Sequence, residues 1–498
     1  MSERTRSAPP RAGAMLEALR GLGYTTATAL ADVIDNGISA GASNIHVRFD
    51  WASERSKISI LDDGRGMSDS ELESAMTLGA RNPLEERSAS DLGRFGMGLK
   101  TASFSQCRRL TVVSKTLNEQ ASCLRWDLDA IAAAPDLGWI MFEGPANGSE
   151  ASIASMNSVT SGTLVLWECL DRIVTPGYSL DHFADLIDDV EMRLAMVFHR
   201  FLEGPTPSLQ LFINDQKVNP WDPFMIGHPA KPWHSPVAKI LLNSGAVEAQ
   251  CHVLPHKDRL SEEAFRRAGG PEGWTSQQGF YVYRNRRLLL AGGWLGLGQG
   301  RAWNREESHR LARIRLDIPN TADADWKIDV KKSTARPPVT VRAWLTKLAE
   351  DTRGRARRVF AFRGASIPVS AGPPLEQAWR VERLKDGVRY RIDNDHPAVA
   401  AVIEAVGARA DLVRAMLRVV EETVPVQRIW LDTAENKETP RTDFEGEPNA
   451  AVIEVASVFF NDLRDRKGLS LEEARKSMLR TVPFQKYPAL VAKLGGSE

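Results

Sequence analysis

The chain has 498 residues, with 64 Lys+Arg against 64 Asp+Glu, 43% hydrophobic residues and four cysteines that show no C-x-x-C spacing. At roughly 100–200 residues per domain this length predicts about three domains, and the balanced charge excludes a binder that works by net charge alone, leaving local basic patches open. Scattered cysteines exclude a disulfide framework or zinc cluster and suit a reducing, cytoplasmic setting; no apolar run reaches about 18 residues, so neither a membrane span nor a membrane partner is expected.

Residues 1–14 are polar, carry Pro9-Pro10, lack the apolar core of a signal peptide and read as a flexible segment. Residues 27–40 put Leu30, Val33, Ile34 and Ile38 on one stripe, which predicts a helix. Alternation predicts strands at 44–49 and 57–61, then a turn at 62–67 and a short helix at 71–78. Residues 79–98 are polar and glycine-rich, a loop pattern. Strands are expected at 110–114, 123–128 and 163–169, and an amphipathic helix at 180–202 closes the region near Gly204-Pro205. This mixture predicts an α+β sandwich, one sheet with helices on one face. A strand–turn–strand at 209–218 opens a second region running to about residue 345, with strands at 279–283 and 313–318. Residues 346–374 hold a basic stretch and a proline-bearing linker, and 375–498 read as mostly helical.

Three short stretches carry chemistry. On the first predicted helix Asp32 and Asn36 are four apart and share a face, with Asp35 close to it. A carboxylate beside a carboxamide oxygen suits water activation near a hard cation, although an ordinary polar helix face looks the same. The second stretch, Asp62-Asp-Gly-Arg-Gly66-Met67, follows a strand. Two glycines let backbone approach a flat ligand while a fixed carboxylate accepts from an exocyclic amine; an Asp/Gly turn is the plain alternative. The third, Gly93-Arg-Phe95-Gly96-Met97-Gly98-Leu-Lys100, spaces backbone N–H groups as an anion nest and adds a cation, but it is not a Walker loop.

In order and spacing, with Ser161-Gly-Thr163 opening a later strand, these stretches resemble the boxes of the GHKL ATPases over about residues 15–175. That group holds type II topoisomerase ATPase subunits, large heat-shock chaperones, sensor histidine kinases and MutL. The phrase LGRFGMGLKTAS most resembles the MORC-type branch and its bacterial relatives. The resemblance implies a Bergerat-type ATP-binding α/β sandwich at 15–205, a smaller α/β transducer domain at 206–345, and a mostly helical C-terminal region at 375–498. It implies ATP and Mg2+ as cofactors, with Asn36 as the metal ligand. Asp62 would read adenine with Thr163 assisting through water, and Gly64, Gly66 and Met67 would lie beside the base. Gly93, Phe95, Gly96, Met97 and Gly98 would form the phosphate end of a lid, with Lys100 beside the phosphates. One departure stands out. The usual general-base Glu, four residues before the magnesium Asn, is here Asp32, whose reach is shorter by about 1.5 Å, which leaves slow hydrolysis or binding without hydrolysis as the two expectations.

The second region fits the same group. Leu211-Phe-Ile-Asn-Asp-Gln-Lys-Val-Asn-Pro and Gly279-Phe-Tyr-Val-Tyr-Arg-Asn-Arg-Arg-Leu resemble transducer strands, and Trp326-Lys-Ile-Asp-Val-Lys-Lys332-Ser resembles the loop that returns a lysine, Lys331 or Lys332, to the γ-phosphate. The implied function is an ATP-dependent, nucleotide-dimerised clamp in DNA repair, chromosome maintenance or defence. Its client would be DNA or RNA held by Arg353, Arg355, Arg357 and Arg358; the alternative is a chaperone-like ATPase with a polypeptide client. The same arginines would also suit a solvated helix face.

Overall fold

Period-two alternation in β1 (Asn44–Asp50) and β2 (Lys57–Asp62) sends Ile45, Val47, Phe49, Ile58 and Ile60 into one core. A computed structural model describes residues 10–80, 98–134, 138–242, 245–322, 325–328, 335–361, 377–384, 387–426, 429, 448, 450–481 and 483–495. The chain divides into two units, Met1–Ala365 and Ser366–Glu498.

In the first unit β1 and β2 lie inside an eight-stranded sheet of order β5-β4-β3-β6-β2-β1-β7-β8. Its other strands are β3 (Arg109–Lys115), β4 (Ser122–Asp127), β5 (Phe142–Glu143), β6 (Gly162–Glu168), β7 (Gln210–Ile213) and β8 (Gln216–Lys217). Helices α1 (Ala12–Arg20), α2 (Thr26–Ser39), α3 (Asp69–Met76), α4 (Gly98–Phe104) and the Leu180–Val197 helix bring Leu16, Leu30, Ile34, Leu72, Phe104, Phe183 and Leu194 to the same core. The start of α2 is fixed by a capping box in which the Thr25 hydroxyl accepts from the Thr28 N–H and the Thr28 hydroxyl accepts from the Thr25 N–H. A smaller cluster of Leu61, Val113, Met156 and Leu164 lies apart from it. The fold is an α/β sandwich, as expected.

The strand–turn–strand near 209–218 forms, but it belongs elsewhere than expected. Strand β7 pairs parallel with β1, from Asn44↔Gln210 to Val47↔Ile213, and so extends the first sheet. Its turn, Asn214-Asp215, has both φ values positive, and the Asn214 amide oxygen accepts from the Phe49 N–H at 2.8 Å. The β1 edge is thereby covered.

A second sheet has the order β10-β11-β14-β12-β13, with β9 (Trp233–His234) on β11. Its members are β10 (Ala238–Leu242), β11 (Gly245–Val253), β12 (Gly279–Arg284), β13 (Arg287–Ala291) and β14 (Ala312–Ile318). Every residue of β12 is buried because both faces are covered. Phe280 and Val282 enter a second core, while Tyr281 and Tyr283 join the first. The long helix Val339–Ala361 places Val341, Leu345, Ala349 and Ala356 in that second core.

That helix corrects one expectation. Arg353 is buried, with its guanidinium 4.8 Å from the Trp294 ring centre and 4.5 Å from that of Trp303. It is therefore a packing residue rather than a phosphate contact, since a cation between two aromatic faces is held by packing and quadrupole attraction. Arg355, Arg357 and Arg358 are exposed.

The second unit is helical as expected, with helices Pro397–Ala405, Ala410–Glu422, Ala450–Asn461, Leu471–Met478 and Pro488–Lys493, but it also contains a hairpin of β15 (Trp379–Leu384) and β16 (Gly387–Ile392). Among the described residues no helix is long and apolar enough to cross a membrane.

Candidate functional site

Glycines set how closely α2 approaches the end of β2. A Cβ on Gly37 would meet Ile45 Cδ1 at 2.9 Å and Asp62 Cβ at 3.2 Å, and one on Gly64 would meet Ala40 Cβ and Asp62 Oδ1, each at 2.9 Å. The turn after β2 is fastened to the helix end by the Arg65 N–H, which donates to the Ala40 carbonyl at 3.0 Å. Gly37, the residue after Asn36, thus packs directly against Asp62. Gly66 has φ of 70°, and a Cβ there would lie 1.9 Å from the Lys115 carbonyl oxygen, so only glycine fits.

Asp62 ends β2 nearly buried. Its carboxylate accepts from the Gly64 N–H at 2.9 Å and from the Thr163 N–H, yet burial outweighs both bonds and pushes its pKa up to about 6. The next residue behaves oppositely. Burial also acts on Asp63, but bonds from the Asn44 side chain (2.7 Å), the Asn44 N–H (2.8 Å) and the Ser43 N–H (2.7 Å) hold it below the usual carboxylate range. Asp63 fastens the start of β1, whereas Asp62 is a poorly solvated acceptor. Ser114 links the surrounding turn, accepting from the Met67 N–H at 2.8 Å and lying 2.9 Å from Thr163 Oγ1.

The acidic face of α2 continues this patch. Asp32 is buried, and its Oδ2 accepts from the Tyr24 hydroxyl at 3.0 Å. A Cβ on Gly98, the first residue of α4, would stand 3.7 Å from the same oxygen. Asp35 is also buried, and Arg287 Nε lies 3.2 Å from each of its carboxylate oxygens. Arg287 Nη2 stands 4.0 Å from Asp32 Oδ1. Asn36, one turn beyond Asp32, is exposed. The structure therefore groups Asp62, Gly64, Met67 and Thr163 around the end of β2, against Gly37 of α2, and sets Asp32 of the same helix beside Gly98.

Lys100, expected beside phosphates, reaches the end of α3 in this structure. It is 1% exposed, and its ammonium donates to the Ala75 carbonyl at 2.7 Å and the Thr77 carbonyl at 2.8 Å. Carbonyls at a helix C-terminus lack intrahelical partners and attract cations, so Lys100 ties α4 to the end of α3. Gly93, Phe95, Gly96, Met97, Lys331 and Lys332 lie outside the described residues. Tyr24, Ser114 and Arg287 join the region without having been singled out by sequence. Arg287 is 252 positions from Asp35, a separation at which no local pattern signals contact.

Residues 24–163 match the profile of the histidine kinase-, DNA gyrase B-, and HSP90-like ATPase family. These residues form a GHKL-type ATPase domain. Among curated proteins, the ATPase morc-1 of Caenorhabditis elegans is 32% identical over 88 residues, a stretch that is 18% of this chain and 10% of that protein. The chain thus matches about a tenth of the length of that relative, and the similarity fits the MORC branch. The matched stretch runs from Tyr24, the partner of Asp32, to Thr163, the partner of Asp62. Arg287 lies beyond its end.

Proposed function

We propose that the GHKL-type ATPase domain binds Mg-ATP between the end of α2 and the turn after β2, and hydrolyses it slowly. The observation that carries this reading is Asp62, a carboxylate held out of water at a strand end where Gly37 and Gly64 leave no space for a Cβ. Such a group is a selective acceptor for an exocyclic amine, here adenine N6. Asn36, an exposed residue between buried Asp35 and Gly37, would hold Mg2+ through its amide oxygen. One protein ligand suffices, because Mg2+ keeps waters and takes phosphate oxygens, and when bound it would neutralise phosphate charge. Asp32 would orient the attacking water, and Lys331 or Lys332 would reach the γ-phosphate. Supporting a nucleic-acid client, Arg355, Arg357 and Arg358 are exposed on the long helix. In this reading ATP pairs two copies into a cytoplasmic clamp around DNA or RNA.

Isothermal titration of wild type and Asn36→Ala with Mg-ATP tests the site. Binding to wild type is expected, and loss of Mg-ATP affinity with an unchanged melting temperature for the variant. Wild-type affinity in Asn36→Ala would remove Asn36 from the metal site. Light scattering with a non-hydrolysable ATP analogue, with and without DNA, tests the clamp. A DNA-stimulated ATPase rate favours the nucleic-acid client over a polypeptide.

A further inference from the structure

Arg287 opens β13 directly after the two-residue turn Asn285-Arg286, whose φ values are 46° and 69°. Two consecutive left-handed residues make a tight hairpin turn, which fixes where the next side chain emerges. The hairpin is anchored twice to the segment that follows the Leu180–Val197 helix. Tyr283, opposite Leu288 in the hairpin, has its hydroxyl 2.8 Å from His199 Nε2, and the Arg287 guanidinium lies 5.7 Å from the Phe198 ring centre. From that base the Arg287 side chain reaches both acids of α2.

The two contacts are unequal, and the difference assigns roles. Both oxygens of Asp35 lie within hydrogen-bond distance of Arg287 Nε, which occupies that carboxylate and makes it a poor base. Asp32 meets the same guanidinium only at 4.0 Å, a distance of charge attraction without a hydrogen bond, while Tyr24 holds its other oxygen. The Asp32 carboxylate is bracketed by Tyr24 on one side and Arg287 on the other.

We propose that Arg287 is a positioning residue for ATP hydrolysis. By gripping Asp35 it sets the rotation of the acidic face of α2, and with it the direction in which Asp32 faces water. The grip also makes that direction depend on the β12–β13 hairpin, so a movement of the second sheet reaches Asp32 through one guanidinium. This inference rests on the ATPase reading above, but it concerns a residue outside the stretch that matches the family.

The test uses the full chain and three variants: Arg287→Met, Arg287→Lys and the charge-free pair Arg287→Met/Asp35→Asn. Affinity is read by titration with a non-hydrolysable ATP analogue, and kcat and KM by phosphate release. Small misplacements at a reacting centre cost up to about 100-fold. Arg287→Met should therefore keep analogue affinity within about threefold while kcat falls about 10- to 100-fold. Arg287→Lys should recover only part of the rate, because a point charge cannot span two carboxylates. If Arg287→Met fails to fold because Asp35 is left buried and unpaired, the charge-free pair carries the test. It should fold and still show the low kcat. Wild-type kcat in Arg287→Met or in the pair, or a loss confined to KM, overturns the proposal. An inactive wild type would sink the ATPase reading with it, whereas an active wild type with unimpaired variants sinks this inference alone.

Discussion

Asp62 and Thr163 sit opposite each other in the β2–β6 ladder, and the Thr163 N–H donates to the Asp62 carboxylate. Burial nevertheless pushes that carboxyl up to about 6, so its charge changes within an accessible pH range. An N6 amine needs the ionised acceptor. ATP affinity is therefore expected to fall about tenfold per pH unit below 6 and to level off above 7. Folding stability should run the other way. The protonated form contributes stability that is fully present below the unfolded value of 3.8 and is lost as pH rises through about 6. The whole effect is at most about 3 kcal/mol. Urea titrations of wild type and Asp62→Asn, which mimics the protonated acid, should show a gap that grows in favour of the variant from pH 4 to 7. A gap independent of pH would mean that the carboxyl is well solvated.

The same carboxylate should choose the base. GTP carries a carbonyl at position 6, which would face Asp62 acceptor to acceptor. A mismatched buried hydrogen bond costs about 1–3 kcal/mol, which converts to roughly 10- to 100-fold weaker binding. Competition of ATP and GTP for a fluorescent nucleotide measures the ratio. Equal affinities would reduce Asp62 to a turn residue.

What could be read from sequence follows from the range of each signal. Strand β1 is legible because one face is buried and its side chains alternate, whereas β3 and β6 are short apolar runs buried on both faces, and α2 carries its apolar residues at helical spacing. The Asp62–Gly66 turn is legible because backbone geometry there needs glycine. The place of Lys100 is not legible, since its glycine-spaced context has the same form whether the ammonium points at phosphate or at the end of α3, and burial is not a local property. Arg287 and Tyr24 acquire meaning only through their partners on α2. Strand β7 reads correctly as a strand, but its place beside β1 depends on a long return through the Leu180–Val197 helix. The Trp379–Ile392 hairpin does alternate, as in Val388-Arg-Tyr-Arg-Ile392, but it is short, lies in a region dominated by helical patterns, and leaves Val381 and Tyr390 more than half exposed.

The basic stretch at the end of the long helix divides by face, and the two faces should respond differently. Arg353→Ala removes a guanidinium packed between Trp294 and Trp303. It should cost about 1–3 kcal/mol of stability in chemical unfolding, through lost packing and cation–π attraction. Arg357→Ala and Arg358→Ala, both at exposed positions, should stay within about 0.5 kcal/mol of wild type. If this face holds a nucleic-acid backbone, each of those two changes should lower the salt slope of binding by about 1. A slope unchanged in both would place the client elsewhere.

The bracketing of Asp32 decides how its substitutions should behave. Its carboxylate is 7% exposed, with the Tyr24 hydroxyl 3.0 Å from one oxygen and Arg287 4.0 Å from the other. Gly98 stands close to the first of these oxygens. Asp32→Ala should keep ATP affinity within a few-fold and lower turnover by about 10²–10⁴, the usual contribution of a positioned base. Asp32→Glu restores the side chain common in the resembling group, but the extra methylene has little room between Tyr24 and Arg287. Overpacking a tight site forces neighbours off their preferred rotamers, so turnover should fall in the Glu variant as well. Removing the Tyr24 hydroxyl makes space on one side. Asp32→Glu combined with Tyr24→Phe is expected to turn over faster than Asp32→Glu alone, while Tyr24→Phe alone should be slower than wild type. Phosphate release by the four proteins under saturating ATP measures this pattern. If Asp32→Glu is already as fast as wild type, the site has room for the longer acid, and slow hydrolysis cannot be ascribed to a pocket built around aspartate.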